Sequence, residues 1–139
     1  MRKLGFLGVL VLAAGSAVAE AREDPAKPDP RIGEEVNRIC FARNIDSWKE
    51  IDGEDRAILL QTGVRNWHRV ELSAGCRSRD FRFAHWIGID SRPAGGCVTP
   101  GDAIIVDTNG PFTRRCIITK INKWDETAQA PEAEAEEGE

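Results

Sequence analysis

Short apolar runs separated by turn signals dominate the middle of the chain. The turn signals are Asp52-Gly53, Thr62-Gly63, Pro93-Ala94-Gly95-Gly96 and Asn109-Gly110, of which the Asp-Gly and Asn-Gly pairs are typical of hairpins. The intervening runs are rich in Ile, Val, Phe, Trp and Thr, which favour strands. We predict strands at residues 40–51 (with a break near Asn44), 57–61, 66–73, 81–89, 103–108 and 114–122.

This spacing predicts an all-β domain over residues 32–124, built of about six short strands. A small antiparallel barrel or a compact sandwich would close such a set of strands. The best candidate for a helix is the segment 32–39, where Gly33, Glu34 and Glu35 could open one turn.

One hairpin can be predicted in register, from the strands 66–73 and 81–89. His68 then faces His85, Val70 faces Phe83 and Leu72 faces Phe81, while Trp67 faces Trp86 on the other side of the sheet. The apolar positions agree on both strands, as a fixed register requires. Two opposed, partly desolvated imidazoles favour the neutral form, so we expect a structural role for the histidines.

The first nineteen residues have the layout of a secretory signal peptide. A basic start at Met1-Arg2-Lys3 precedes an apolar run, and Ala17-Val18-Ala19 forms a small-residue cleavage site. We therefore expect cleavage before Glu20, a periplasmic or secreted protein, and no membrane span after cleavage.

Charge separates the remaining chain into a core and two flanks. Residues 20–31 form a Pro-rich charged linker, and residues 125–139 hold seven acids and no base. Such compositions predict disorder, with binding of the acidic tail to a basic partner as the alternative. The core, 32–124, has 14 basic and 12 acidic residues, and 11 of the basic ones are arginine.

The four cysteines predict two disulfides. Cys40, Cys76, Cys97 and Cys116 form an even set in an exported small domain and contain no closely spaced pair that would suggest zinc. A meander of strands would bring Cys76 to the rim where Cys116 begins a strand. This favours Cys76–Cys116 with Cys40–Cys97, and Cys76–Cys97 with Cys40–Cys116 is the alternative.

Clustered arginines are the candidate contact surface. Arg77, Arg79, Arg82, Arg114 and Arg115 would lie near one rim of the meander, where they could bind an anion or a partner. The alternative is a charged rim that protects sheet edges and aids solubility. A core of such low net charge, in an exported protein, argues against nucleic acid as the partner.

The sequence contains no motif for catalysis or cofactor binding. G-x-S-x-G, H-E-x-x-H, Walker and G-x-G-x-x-G motifs are absent, so we predict no catalytic residue, no metal ligand and no cofactor. An enzyme that uses His68 or His85 as a base is the alternative.

The order of features resembles a family of exported bacterial proteins, domain of unknown function family 6491. The similarity covers residues 38–124, and Pro100 and the acidic tail depart from the pattern. It is carried by Cys40 with Ile45, residues 52–60, Val70-Glu71-Leu72, Cys76, residues 83–87, Cys97 with Gly101-Asp102, Cys116 and Ile118. The resemblance implies a small exported β domain and implies no activity.

We therefore expect a monomeric, non-catalytic binding or structural module of the bacterial envelope. Its partner would be an envelope protein or an anionic envelope component. Besides the small periplasmic enzyme, an inhibitor of an envelope-targeting enzyme remains as an alternative, from size and compartment alone.

Overall fold

The computed structural model describes residues 27–108, 110–111 and 113–130. The predicted signal peptide (1–19), the first part of the linker and residues 131–139 of the acidic tail lie outside the described residues. No helix in the described part of the chain is long and apolar enough to cross a membrane.

Seven strands form one antiparallel sheet that curves into a half-barrel. The strands are β1 (Ile32–Glu35), β2 (Ile45–Glu50), β3 (Ala57–Thr62), β4 (Asn66–Leu72), β5 (Trp86–Asp90), β6 (Ala103–Asp107) and β7 (Arg114–Trp124). A 3₁₀ turn (Ala42–Asn44) precedes β2, and a single helical turn, α1 (Arg79–Arg82), lies between β4 and β5. The prediction of a mostly antiparallel all-β fold is confirmed.

The long strand β7 organises the sheet. The strand order is β2-β3-β4-β7-β6-β5, so one edge of β7 pairs with β4. On the other edge, β6 pairs with the first residues of β7, and β1 pairs with the last ones. Strands distant in sequence therefore become neighbours, and the sheet is not a simple meander.

The concave face of the half-barrel holds the main core. Buried side chains from four strands, from α1 and from the flanking loops meet there: Ile39, Ile58, Leu60, Val70, Leu72, Cys76, Phe81, Val98, Ile104, Val106, Cys116, Ile118 and Ile121. Burial of apolar area of this kind is the dominant favourable contribution to folding.

A bulge in β7 changes which side chains of this strand lie on each face of the sheet. The pairing with β4 shifts between Lys120 and Ile118, which leaves Thr119 as the extra residue. Ile118 and Ile121 can therefore both face the core although they are three residues apart. The same shift directs Trp124 to the convex face.

A smaller apolar cluster covers part of that convex face. Ile51, Ala57, Leu59 and Trp124 are buried there, and Ile32 and Trp67 pack against them. Two cations lie over the indole rings. The guanidinium carbon of Arg31 lies 4.7 Å from the ring centroid of Trp124, and the Nζ atom of Lys49 lies 4.1 Å from that of Trp67. Because β3 is covered on both faces, its sequence Ala-Ile-Leu-Leu is continuously apolar.

The prediction of a helical turn at 32–39 is wrong. Ile32 pairs with Trp124 and Glu35 with Asn122, which makes the segment 32–35 a strand. The side-chain amide of Asn122 also donates to the carbonyl oxygen of Gly33 at 3.1 Å. Pairing with a distant strand thus overrides the weak local preference for a turn.

The predicted hairpin of 66–73 with 81–89 is also wrong. β4 pairs with β3 and β7, and β5 begins only at Trp86 and pairs with β6. Residues 79–82 instead form α1, in which Phe81 is 2% exposed while Phe83 beyond it is 71% exposed. The alternating aromatic pattern of this segment arises from one buried ring and one exposed ring, and not from two rings on one face of a strand.

Candidate functional site

Two disulfides hold the ends of the half-barrel. Cys40 is bonded to Cys97, and Cys76 is bonded to Cys116, which confirms the favoured connectivity. Cys76 follows the end of β4, and Cys116 lies near the start of the antiparallel β7, so the two strands present their cysteines at one rim. The sequence predicts that Cys76 and Cys116 lie at one rim, but it does not predict that β4 and β7 pair directly.

The arginine rim, defined as Arg77, Arg79, Arg82, Arg114 and Arg115, is only partly assembled by the fold. The Nη1 atom of Arg114 donates to the carbonyl oxygen of Gly75 at 2.8 Å and lies 3.5 Å from a carboxylate oxygen of Asp80. Asp80 also accepts from the backbone N–H of Arg77 at 3.0 Å. The start of β7 and the segment around α1 therefore meet through Asp80.

Carboxylates already neutralise most of this rim. The ion pairs are Arg77–Asp55, Arg82–Glu50, Arg114–Asp80 and Arg115–Asp90. The hydrogen bond from Arg82 to Glu50 raises the pKa of the guanidinium, and that from Arg115 lowers the pKa of Asp90. Of the five arginines, only Arg79 has no ion pair with a described residue. An incoming anion would have to compete with a carboxylate at the other four.

The two histidines do not face each other, because His68 lies on β4 and His85 lies in the segment before β5. His68 pairs with Leu60 on one side and with Lys123 on the other, and its half-buried ring lies at one end of β4. Its Nδ1 atom is buried and has no hydrogen-bond partner in the described part of the chain. Burial, with a smaller contribution from the charge of Lys123, lowers the pKa of His68. His85 is exposed just before β5.

These positions do not form a base and orienter pair of the kind that nucleophilic catalysis requires. All four cysteines are in disulfides, so the chain has no free thiol. Among the described residues, no three His, Cys, Asp or Glu side chains are grouped closely enough to hold a metal ion.

The ion pairs of Arg69, the least exposed cation in an ion pair of the described residues, join the turn after β2 to β4. The Nε atom of Arg69 lies 2.9 and 3.0 Å from the two carboxylate oxygens of Glu54, and its Nη1 atom lies 2.6 Å from Glu71. The side chain of Arg69 is 11% exposed. Burial acts to lower the pKa of Arg69, but the hydrogen bonds to Glu54 and Glu71 outweigh it and raise the pKa. The charges of Arg69, Glu54 and Glu71 pair with one another, so this cluster stabilises the fold.

A second basic surface, not foreseen from the sequence, surrounds the other disulfide. We call it the Cys40 face and define it by Arg38, Phe41, Arg43, Arg65 and Arg92, which line its grooves, and by Val64, which lies between the groove residues Gly63 and Arg65. Three shallow grooves adjoin one another in this region. Cys40, Thr62 and Asn66 line both the first and the second groove, and Arg38 lines both the first and the third. Its arginines are far apart in the sequence, so only the fold brings them together.

Apolar side chains are exposed on the same face. Val64, at the tip of the β3–β4 turn, is 87% exposed, and Phe41 is 43% exposed. The guanidinium carbon of Arg43 lies 4.8 Å from the ring centroid of Phe41. The only local feature of the sequence that indicates this face is the short stretch from Cys40 to Arg43, in which an aromatic residue and an arginine follow a cysteine.

The comparisons with known proteins place the chain in a family. No curated protein and no solved structure matches it. One family model matches residues 1–139, and it is the family that the cysteine pattern resembles. The chain therefore belongs to the family of unknown function DUF6491.

Proposed function

We propose that the protein is an exported, monomeric, non-catalytic module of the bacterial envelope, which binds a partner or has a structural role. The two disulfides carry the proposal, because such bonds form and persist in oxidising compartments. The signal-peptide layout of residues 1–19 supports the same location. The chemistry of the surface favours an anionic envelope component or an acidic protein as the partner.

The histidine geometry supports a role without catalysis. His68 and His85 lie apart, the buried Nδ1 atom of His68 has no described partner, and no cysteine is free to act as a nucleophile. These observations support a domain that acts through its surface and not by catalysis.

Fractionation of the native host tests the location. We expect the protein in the periplasm or the medium, with Glu20 as its first residue and with a mass that corresponds to two disulfides. Four thiols open to alkylation, or a chain that keeps residues 1–19 in the cytoplasm, would contradict the proposal.

An activity screen tests the absence of catalysis. The purified protein should show no turnover of ester, peptide or glycosidic substrates above the rate with buffer alone. Turnover that disappears in H68Q or H85Q, and persists in the rim variant R79Q, would show an enzyme instead.

A further inference from the structure

The Cys40 face differs from the arginine rim because none of its four arginines has a carboxylate partner among the described residues. Arg38, Arg43, Arg65 and Arg92 form no ion pair with a described residue, whereas four of the five rim arginines do. Asp46 lines one of the three grooves, and it is the only acid among the described residues that does. The nearby Lys123 is paired with Glu34. The face therefore keeps an excess of positive charge that the described residues do not neutralise.

The apolar residues on this face are exposed beside those charges. Val64 is at the tip of a hairpin, where the side-chain amide of Gln61 donates to its carbonyl oxygen at 2.9 Å and holds the turn. Gly63, with a φ of 65°, takes the left-handed conformation that this turn needs. Because the turn is held from within, an exposed Val64 is a stable feature of the surface.

This combination fits an extended anionic plane better than a narrow binding cleft. Surfaces that bind anionic lipid place apolar side chains at the level of the head groups and surround them with Lys or Arg. Arginine is suited to phosphate because its planar guanidinium can donate two parallel hydrogen bonds. The four arginines are exposed and line adjoining open grooves, so an extended surface can contact them without entering a narrow cleft.

We propose that the Cys40 face docks the protein onto an anionic phospholipid bilayer, with Val64 and Phe41 at the depth of the head groups and the arginines on the lipid phosphates. The proposal rests on the proposed function, because only an exported protein meets the outer surface of the cytoplasmic membrane. The cysteine bond at this end holds the 3₁₀ turn beside residues 92–97 and so fixes two parts of the docking face.

Co-sedimentation of the exported protein with vesicles tests this proposal. We expect binding to phosphatidylcholine vesicles that contain about one third phosphatidylglycerol, and binding at least tenfold weaker without the anionic lipid or at high salt. The variant R38E/R43E/R65E should lose roughly tenfold or more in affinity, and V64D several-fold.

A matched control changes the same charge at the opposite end. R77E/R79E/R82E alters three exposed arginines and should stay within about twofold of the wild type, because charge steering falls off over the Debye length. If R38E/R43E/R65E does not fold, R38Q/R43Q/R65Q removes the same charges without adding acids and should bind several-fold more weakly than the wild type.

Several results would overturn the proposal. These are equal binding to anionic and neutral vesicles, an equal loss in the rim variant, or binding to soluble heparin without binding to vesicles. Binding that appears only after removal of residues 131–139 would overturn it as well, because it would assign the face to the acidic segment of the chain itself. None of these results affects the tests of export and turnover, so failure of the docking surface can be told apart from failure of the proposed function.

Discussion

The two ends of the half-barrel each carry a disulfide, yet they differ in how their arginines are paired and in the burial of Phe81 at one end and Phe41 at the other. At the Cys76–Cys116 end, both sulfurs are in the core, Phe81 is buried, and carboxylates pair with the guanidinium groups. At the Cys40–Cys97 end, Cys40 and Phe41 are exposed, and the arginines have no carboxylate partner within the part of the chain that the structure describes.

Paired and unpaired arginines differ in what they contribute to stability and to binding. An exposed ion pair contributes little to stability, but it cancels the long-range field of the arginine. A guanidinium without a carboxylate partner forms no ion pair that stabilises the fold, and it remains available to an anion. Four paired arginines at one end and four unpaired ones at the other therefore point to the Cys40 face as the contact surface, although the sequence draws attention to the rim.

Removal of each disulfide should give the largest effects and should sharpen this contrast. The bonds span 57 and 40 residues, and loop closure alone gives each about 4 kcal/mol, with only about 0.3 kcal/mol between them. C76A/C116A also removes buried sulfur from the core, so we expect it to cost about 1–2 kcal/mol more than C40A/C97A.

Urea unfolding of both double variants measures the difference. The wild type treated with a reductant serves as the reference for the loss of both bonds together. Equal losses of unfolding free energy, or a larger loss for C40A/C97A, would show that the buried end does not carry more of the stability.

The same substitution at the two phenylalanines should give the next largest difference. Phe81 is 2% exposed, and its carbonyl oxygen accepts a hydrogen bond of 3.1 Å from the indole N–H of Trp48. F81A should cost about 3–5 kcal/mol of unfolding free energy because it leaves a cavity in the core. F41A should change stability by about 0.5 kcal/mol or less. Thermal and urea unfolding would check both, and a large loss in F41A would mean that this ring is part of the fold.

Two arginines of the same hairpin, one in the middle of β4 and one in the β3–β4 turn, provide a third comparison. Arg69 is held by Glu54 and Glu71, whereas Arg65 in the β3–β4 turn has no ion pair with a described residue. R69M should cost about 1.5–3 kcal/mol, because it removes hydrogen bonds to charged groups and leaves two carboxylates side by side. R65M should stay within about 0.5 kcal/mol of the wild type.

The measurement is again the free energy of unfolding. An additional variant, R69K, should recover only part of the loss, since an ammonium group cannot make the paired hydrogen bonds of a guanidinium. Full recovery in R69K would show that charge alone, and not the geometry of the pair, holds the turn to β4.

The sequence predicts strands well where local pattern and pairing agree. The runs around β3, β4, β6 and β7 alternate or are continuously apolar and end at turn residues, so their positions follow from side-chain chemistry. The break near Asn44 is also correct, because a 3₁₀ turn ends there before β2. The disulfide connectivity followed from the ends of two of these strands.

What the sequence does not reveal is which strands pair across long distances. β1 is a strand only because the end of β7 lies beside it, and the segment 81–89 is divided because Phe81 packs into the core within α1. Neither contact leaves a local pattern in the sequence. The same limit applies to the Cys40 face, whose arginines come from the segment before Cys40, the 3₁₀ turn, the β3–β4 turn and the loop after β5.

The smallest expected effect concerns His68, which lies at the Cys40 end of β4. Burial, and to a lesser extent the positive charge of Lys123, lowers its pKa below the ordinary value of about 6.5. The unfolded chain then takes up a proton at a higher pH than the folded one. Stability that is present above the unfolded pKa is therefore lost as the pH falls from that value towards the folded pKa. The melting temperature should be lower at about pH 5 than at about pH 7, because the imidazole of the unfolded chain titrates at about 6.5, between these two values. H68L should remove that part of the pH dependence, and H85Q, which changes the exposed histidine before β5, should keep it. The same dependence in H68L as in the wild type would mean that groups other than this half-buried imidazole control the acid sensitivity of the Cys40 end.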